Sequence, residues 1–442
     1  MRPALANSRL GLVGAGAVVT GPAEAGPVRR PTWDHLGIRT DVGVAIEDGR
    51  IARLAPDAEV RDWVHEAGGE TVACEGRLVT PGLIDAHTHA IFGIARLPDQ
   101  SRRARGTDYK TIAAEGGGIL SSVADFRARG EDELFALTRE RLGHLAALGT
   151  TTVEVKSGYG LALEHELKAL RVLGRLAAEL PLRIVPTFLG AHEVPAEYRS
   201  RRDAYVRLVI EEMLPAVAGE RLAAFCDVFC EPGVFGLDES EAILTAAQRH
   251  GLGVKLHADE LDPAGGAQLA ARLGAASADH LGAISAAGID ALAASGTVAV
   301  LLPGTLLFLG RTRHAPARAL LDSGAIVALA TDFNPGSSPT ANLPLIMALG
   351  VSQTRMQPEE AFLAATVNAA HALGQGAEGG RLAPGGRADV VVWNCRDVRE
   401  LAYWYGMPLA WRTYAAGRPC HRGGGGISSG GWGDSPLSPP VS

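Results

Sequence analysis

The sequence has little that is typical of a nucleic-acid-binding or membrane-spanning protein. Its 42 basic residues are outnumbered by 49 acidic ones, the net charge is −7, and no long run of basic residues occurs. This charge balance does not favour a nucleic acid or an anionic membrane as a partner. No stretch reaches the roughly 18 apolar residues of a membrane span. We therefore expect no nucleic-acid partner and no membrane association.

Cysteines are also few. The chain has five among 442 residues, an odd number without the dense spacing of a small disulfide-stabilised domain. Cys226 and Cys230 are the only near pair, and they lack the second pair that a structural zinc site would need. We interpret them as buried strand residues.

The N-terminal stretch 10–19 is apolar and loosely resembles a secretory signal. It contains three glycines and no leucine-rich centre, which favours a first β-strand before a turn at Gly21-Pro22. We therefore expect a cytoplasmic protein.

What the chain does contain is an alternation of strand and helix patterns, with a core mainly of Ala, Leu and Val because only 5% of residues are aromatic. From Leu78 onward, apolar runs alternate with amphipathic stretches such as Glu131–Leu148 and Leu161–Leu180. Runs this apolar indicate strands that are buried on both faces of a parallel sheet. The runs are 78–85, 151–156, 183–190, 224–231, 253–258, 276–280, 297–302 and 326–331. Eight such units predict an α/β fold with a (β/α)8 TIM-type barrel.

Both ends of the chain predict short strands outside the barrel. Residues 42–46 and 51–54 flank an Asp48-Gly49 turn, and residues 388–393 and 412–414 are strand-like near the C-terminus. We predict a small β-sandwich module built from both chain ends. The predicted boundaries are 1–80 and 376–421 for this module, 81–375 for the barrel, and 422–442 for a disordered Gly/Ser/Pro-rich tail.

The first barrel strand is followed by two histidines. His87 and His89 are two residues apart, so their side chains can face the same point in the barrel mouth. Imidazole is a common ligand of divalent transition metals. Taken alone, the pair could equally be two hydrogen-bonded histidines without a metal.

Other strand ends supply further donors. His257 ends the fifth strand and Asp332 ends the eighth, so these residues should converge with His87 and His89. Three histidines and one carboxylate suit one zinc or iron ion per chain with an open position for water. Nearby, Lys255 shares the strand parity of His257, yet we expect it to point away from the barrel axis, which leaves its role open.

Hydrolysis at such a centre needs groups that accept and donate protons. His280, Glu260 and Asp332 lie at strand ends and are the catalytic candidates. We favour His280 as a residue that orients its neighbours. Which of the three is the principal base stays open.

The motif Pro81–His89 resembles the opening of the metal-dependent amidohydrolase superfamily. Further segments are similar, in the same order, to the imidazolonepropionase family within it. These segments are Gly116–Ile119, Thr152–Gly160, Thr187–His192, Lys255–Asp259 and Ala330–Gly336. The resemblance implies an amidohydrolase-type barrel that hydrolyses 4-imidazolone-5-propanoate to N-formimidoyl-L-glutamate in histidine degradation. It also implies a cytoplasmic homodimer with zinc or iron.

The resemblance also implies roles for individual residues. The metal-ligand positions match His87, His89, His257 and Asp332. The substrate-binding positions match Arg96, Tyr159, His192, Glu260, Asn334, Gly336 and Ser337. An arginine suits the substrate's carboxylate, because guanidinium and carboxylate pair through two hydrogen bonds.

Two alternatives stay open at this point. A deaminase of a cytosine- or guanine-like base would use the same metal set, but would leave Arg96 and Tyr159 without a purpose. A catalytically inactive barrel serving as an assembly protein should have lost at least one metal ligand, and none is missing here.

Overall fold

The computed structural model describes residues 9–107, 111–112 and 115–423. The predicted C-terminal tail therefore lies almost entirely outside the described residues. The strands are β1 (Arg9–Val13), β2 (Ala17–Val19), β3 (Ile38–Arg39), β4 (Gly43–Glu47), β5 (Arg50–Ala55), β6 (Glu70–Ala73), β7 (Leu78–Pro81), β8 (Leu83–Asp85), β9 (Thr150–Lys156), β10 (Arg183–Ala191), β11 (Phe225–Cys230), β12 (Gly253–Ala258), β13 (Ser277–His280), β14 (Val298–Leu301), β15 (Ile326–Leu329), β16 (Val390–Trp393), β17 (Ala410–Ala415) and β18 (Arg418–Arg422).

Helices follow most barrel strands. The α-helices are α1 (Asp57–Glu66), α2 (Leu97–Ala104), α3 (Gly118–Ala128), α4 (Glu131–Ala147), α5 (Leu163–Glu179), α6 (Arg202–Leu208), α7 (Leu214–Gly219), α8 (Leu237–Arg249), α9 (Gly266–Leu273), α10 (Ala286–Ala294), α11 (Pro303–Phe308), α12 (Ala317–Ser323), α13 (Leu343–Thr354), α14 (Pro358–Ala364), α15 (Val367–Ala372) and α16 (Glu400–Tyr403). A π-helical turn, Val209–Met213, joins α6 to α7, and 3-10 turns cover Trp33–Leu36 and Ala196–Tyr198. In the part of the chain described, no helix is long and apolar enough to cross a membrane.

Strands β8 to β15 form the predicted barrel. Each is parallel to its neighbour in the chain, so the sheet follows the sequence order. Backbone hydrogen bonds close the circle just beyond β8 and β15: Asp332 N donates to His87 O at 3.0 Å and His89 N donates to Phe333 O at 2.9 Å. The (β/α)8 barrel is confirmed, and its closure brings the residues after the first and eighth strands together.

Strands from both chain ends form the small β-module. One sheet has the order β5-β4-β1-β6 and the other β18-β17-β16-β7-β2-β3. Side chains such as Leu12, Val44, Val79 and Val390 are buried together in one apolar cluster between them. The β-sandwich built from both ends is therefore confirmed, while the exact boundaries at residues 80, 375 and 421 stay predictions.

The single strand predicted over 78–85 is wrong. The chain changes partners within two residues, since Gly82 N donates to Asp389 O at 2.9 Å and Leu83 N donates to Gly149 O at 2.9 Å. β7 therefore belongs to the β-module and β8 to the barrel. At Gly82 a Cβ would overlap the side chain of Thr151, so this crossing point between the sheets has no room for a larger residue.

The strand predicted for residues 10–19 is also two strands. β1 and β2 belong to different sheets, and Gly14 between them has a φ of 70°, which a glycine adopts without strain.

The interpretation of Cys226 and Cys230 is confirmed, because both are free, buried residues of β11.

Candidate metal centre and active site

Four side chains converge at the carboxyl ends of the barrel strands. The Nε2 atom of His89 lies 3.3 Å from the Nε2 atoms of His87 and His257. The Oδ1 atom of Asp332 lies 3.5 Å from the Nε2 atoms of His87 and His89. All four residues are buried. The structure thus brings together the four side chains that the sequence singled out as ligands.

Two aspartates set the tautomers of two of these histidines. Asp279 Oδ2 lies 2.6 Å from His87 Nδ1, and Asp227 Oδ1 lies 3.1 Å from His257 Nδ1. Each carboxylate accepts a hydrogen bond from the protonated Nδ1 atom, so the Nε2 lone pair is free to face the centre. Burial and the charge of Lys156 hold the pKa of His87 well below its usual value. The ring is therefore neutral, as a metal ligand must be.

The spacing of the donor atoms suits a metal ion. Ligand atoms about 2.0–2.1 Å from a tetrahedral ion lie about 3.3–3.4 Å from one another. The two aspartates leave Nε2 lone pairs on His87 and His257, and both atoms lie 3.3 Å from Nε2 of His89, which can donate at most one hydrogen bond. The donors of His87, His89 and Asp332 form one group that could hold a metal ion, and those of His87, His257 and His280 form another.

A cleft that is partly open to solvent lies at this end of the barrel, and three of the four predicted ligands, His89, His257 and Asp332, form part of its lining. Seven other predicted site residues line it, together with several apolar side chains. The predicted residues in its walls are Arg96, Tyr159, His192, Glu260, His280, Asn334 and Ser337. The sequence-predicted binding residues and the candidate metal ligands therefore share one cavity.

Glu260 and His280 lie side by side in this cleft, with Glu260 Oε1 3.6 Å from His280 Nδ1. Burial and the negative charges of Asp332 and Glu231 raise the pKa of Glu260 to about 8. Burial keeps the pKa of His280 well below its usual value. At neutral pH Glu260 can therefore donate a proton, and His280 is a neutral ring.

Asp332 differs from Glu260 in its surroundings. Burial raises its pKa to about 6, although a hydrogen bond donated by Thr305 Oγ1 to Asp332 Oδ2 at 2.6 Å opposes the rise. The backbone φ of Asp332 is 53° and that of His280 is 78°, a region that non-glycine residues rarely adopt. Unusual backbone conformations of this kind are often found at functional sites.

The loop after β15 packs against Arg96. Asn334 Oδ1 accepts hydrogen bonds from Gly336 N at 2.8 Å and Ser337 N at 2.7 Å, which holds the loop in a tight turn. A Cβ on Gly336 would overlap the Arg96 guanidinium, so the absence of a side chain at Gly336 leaves the room that Arg96 occupies. Gly336 is thus a packing partner of Arg96 and is not itself in the cavity wall.

Tyr159 and His192 form the opposite, aromatic wall. The His192 ring stacks on His89 with centroids 5.0 Å apart, and the Tyr159 ring lies 5.5 Å from His192. His192 Nδ1 lies 2.9 Å from Gly158 O, so it donates there and leaves Nε2 as an acceptor. This wall can contact a flat heterocycle on its face and hydrogen-bond to its edge.

Sequence reasoning missed a layer of charged residues beneath the histidines. It contains Glu154, Lys156, Asp227, Lys255 and Asp279, and their side chains have no exposed surface. The expectation that Lys255 points away from the barrel axis is wrong: residues two apart share a strand face, and Lys255 points inward like His257. The available signal was charge inside apolar strands, since β11 reads FCDVFC and β9 reads TTTVEVK.

Arg311 is a second residue that sequence reasoning missed. It lies in the loop after α11, lines the same cleft and is exposed. Its charge acts to lower the pKa of Glu260 against the larger effect of burial. Its position beyond the seventh strand was the available signal, because loops there face the barrel mouth.

Comparisons with known proteins agree with this arrangement. The sequence model of the Amidohydrolase family matches residues 78–408. An imidazolonepropionase of Solibacter usitatus is 47% identical over 407 residues, which cover 92% of this chain and 97% of that protein. One of Symbiobacterium thermophilum is 48% identical over 410 residues, covering 92% and 96%. The chain belongs to the amidohydrolase family, in its imidazolonepropionase group.

Solved structures also share the fold of this amidohydrolase. A zinc-bound adenosine deaminase from Xanthomonas campestris superposes with a TM-score of 0.68 at 20% identity, covering 93% of this chain and 92% of that one. At this identity the likeness concerns the fold alone. The deaminase alternative therefore gains no support from it, whereas the imidazolonepropionase relatives match over nearly the whole chain.

Proposed function

We propose that this amidohydrolase opens the ring of 4-imidazolone-5-propanoate by hydrolysis and releases N-formimidoyl-L-glutamate, a step of histidine degradation. The observation that carries the proposal is the buried His/Asp group at the base of a cleft that has an arginine in its wall. A cyclic amide that carries a carboxylate substituent needs both features: the His/Asp group for the amide and the arginine for the carboxylate. The names of the relatives point to the same reaction.

His87, His89, His257 and Asp332 are the proposed ligands of one zinc or iron ion per chain. Three imidazoles and a carboxylate suit either ion. A bound ion would supply Lewis acidity, which lowers the pKa of water and polarises a carbonyl group. Elemental analysis of the purified chain should give one ion. Two ions retained after dialysis would contradict the single site, and no uptake of any ion would favour the inactive barrel.

The proton transfers are assigned to Asp332, which is also a proposed ligand, and to two further polar groups of the cleft. Water adds to the ring carbonyl carbon, and we propose that Asp332 accepts one of its two protons. The ring C–N bond then breaks and leaves its electron pair on the departing nitrogen, which needs a proton. The new carboxyl group loses the second proton of the water and becomes a carboxylate, and the two water protons restore the proton donor and protonate the formimidoyl group of the product. Glu260, with a pKa of about 8, is protonated at neutral pH and is the proposed donor. His280, 3.6 Å away, is the proposed orienting residue.

Substrate binding is divided between the two walls. We propose that Arg96 pairs with the propionate, because a carboxylate that enters a partly dry site without a positive partner is costly. Tyr159 and His192 would contact the ring. Asn334, Gly336 and Ser337 would hold the loop, and through it the product, against Arg96.

The assembly and location are proposals that rest on the family resemblance. We propose a homodimer, which light scattering of the purified chain would test, and a cytoplasmic location, which fractionation of the source cells would test. The proposed division into module and barrel at residues 80, 375 and 421 could be tested by limited proteolysis.

The direct test of the function is a substrate panel. Freshly generated 4-imidazolone-5-propanoate, followed by the loss of its ultraviolet absorbance, should be turned over, and cytosine and guanine should not. Ammonia release from either base, without turnover of the imidazolone, would instead establish the deaminase.

A further inference from the structure

Lys156 is the centre of the buried charged layer beneath the candidate metal ligands. Its Nζ atom lies 2.7 Å from Asp227 Oδ2, 2.8 Å from Glu154 Oε2 and 3.6 Å from Asp279 Oδ2. None of these side chains has any exposed surface. A single ammonium group therefore faces three carboxylates where water cannot neutralise them.

Two of these carboxylates are the ones that hold histidine rings. Asp227 contacts His257 Nδ1 at 3.1 Å and also accepts from the backbone N of His257 at 3.1 Å, while Asp279 contacts His87 Nδ1 at 2.6 Å. A contact chain thus runs from Lys156 through Asp227 to His257, and a second, longer one through Asp279 to His87. Partners that hydrogen-bond to a ligating histidine set its tautomer and ring orientation.

We propose that Lys156 is a positioning residue for metal binding, which acts through Asp227 on His257 and more weakly through Asp279 on His87. Buried carboxylates a few ångströms apart repel each other, and an ammonium between them holds them in place. Without it, repulsion between the carboxylates would turn Asp227 away, and the orientation of the His257 ring would be lost. This inference rests on the metal role proposed above for the two histidines.

The same layer contains a matched control. Lys255 is equally buried, but its Nζ atom donates to Ala86 O at 2.9 Å and lies 2.9 Å from Glu154 Oε1. Asp279 is 4.0 Å away from it. Its nearest carboxylate, Glu154, is not one of the two that hold the histidines. Lys255→Met therefore removes the same buried charge as Lys156→Met without touching the link to His257.

The experiment measures how fast zinc leaves the protein. Wild type, K156M and K255M are loaded with Zn²⁺, their metal content is measured, and release to an excess of a chromogenic chelator is followed without substrate. Loss of such supporting residues typically weakens metal affinity by about 10–100-fold. We expect release from K156M at least about 10-fold faster than from wild type, and from K255M less than about 3-fold faster. Equal acceleration in both variants, or none in K156M, would overturn the proposal.

A spectroscopic readout separates positioning from a general loss of stability. With Co²⁺ as probe, the visible absorption bands of K156M should shift because the His257 ligand changes orientation, and those of K255M should match wild type. If the K156M bands match wild type, the proposal is wrong. If wild type itself takes up no metal, the proposed function fails, which is a different result.

K156M alone leaves buried carboxylates uncompensated and could fail to fold. The double variant K156M/D227N removes the charged pair together and is compared with D227N. Because Lys156 acts mainly through Asp227, the second change should add less than about 3-fold to the release rate. A further 10-fold or greater acceleration in the double variant would show that Lys156 acts by another route.

Discussion

The floor and the mouth of the cleft are built in different ways. The floor consists of buried residues in or next to the barrel strands, and a carboxylate holds the ring of two of its candidate ligand histidines, His87 and His257. The mouth is formed by loops and contains two arginines. Arg96 is half-buried and Arg311 is exposed. The difference suggests that the floor determines whether the reaction occurs, and the mouth determines which molecule is bound. Four changes test this division.

The largest effect is expected at the floor, from Asp332→Asn. The amide keeps the shape but loses the charge and basicity, so turnover should fall by at least about 100-fold. Steady-state kinetics measures this, with metal content determined on the same sample. Near-normal turnover with metal still bound would remove Asp332 from the mechanism.

Glu260 should show its role in the pH profile. Its pKa is raised to about 8, so the carboxyl is protonated below that pH and loses its proton above it. If the protonated form donates to the ring nitrogen, kcat/KM should fall as the pH rises through about 8. The amide of Glu260→Gln cannot act as the acid, so turnover should fall by about 100-fold. Because the amide does not titrate in this range, the fall near pH 8 should also disappear from the profile. An unchanged profile in the variant would assign the proton to another group.

At the mouth, Arg96→Gln should act mainly on binding. A buried charge pair would be worth on the order of 2–5 kcal/mol, and the partial exposure of Arg96 favours the lower end, about 30-fold in kcat/KM. The loss should appear mostly in KM. The variant should also discriminate less between the acid and a neutral amide analogue. Equal kcat/KM in wild type and variant would show that the carboxylate is held elsewhere.

The smallest effect is expected from Arg311→Gln, the matched control at the mouth. This exposed residue loses the same charge, but solvent screens its interaction with the substrate. We expect KM to rise about 3-fold or less, and the difference to shrink at high ionic strength. A loss as large as that of Arg96→Gln would identify Arg311 as the carboxylate partner.

The candidate site could be predicted where a metal-binding type of residue stands at the end of a predicted strand. This holds for His87, His89, His257 and Asp332, because the ends of parallel strands meet at one edge of a barrel. The support layer could not be predicted, because Asp227 and Lys156 lie inside strands and acquire a partner only when the barrel closes and the inward side chains of the alternate strands β9, β11 and β13 meet in its interior. Arg311 was missed because an arginine in a polar loop has no local pattern that sets it apart.

The sequence by itself determined the barrel, the β-sandwich from both chain ends, and the family, because hydrophobic periodicity and short motifs are local properties of the chain. Only the tertiary structure decided where the chain passes between sheets at Gly82, which way Lys255 points, and which carboxylate holds which histidine. These are pairings between residues tens to hundreds of positions apart. Their geometry depends on barrel closure and on the need to neutralise buried charge, and neither can be inferred from a local sequence pattern.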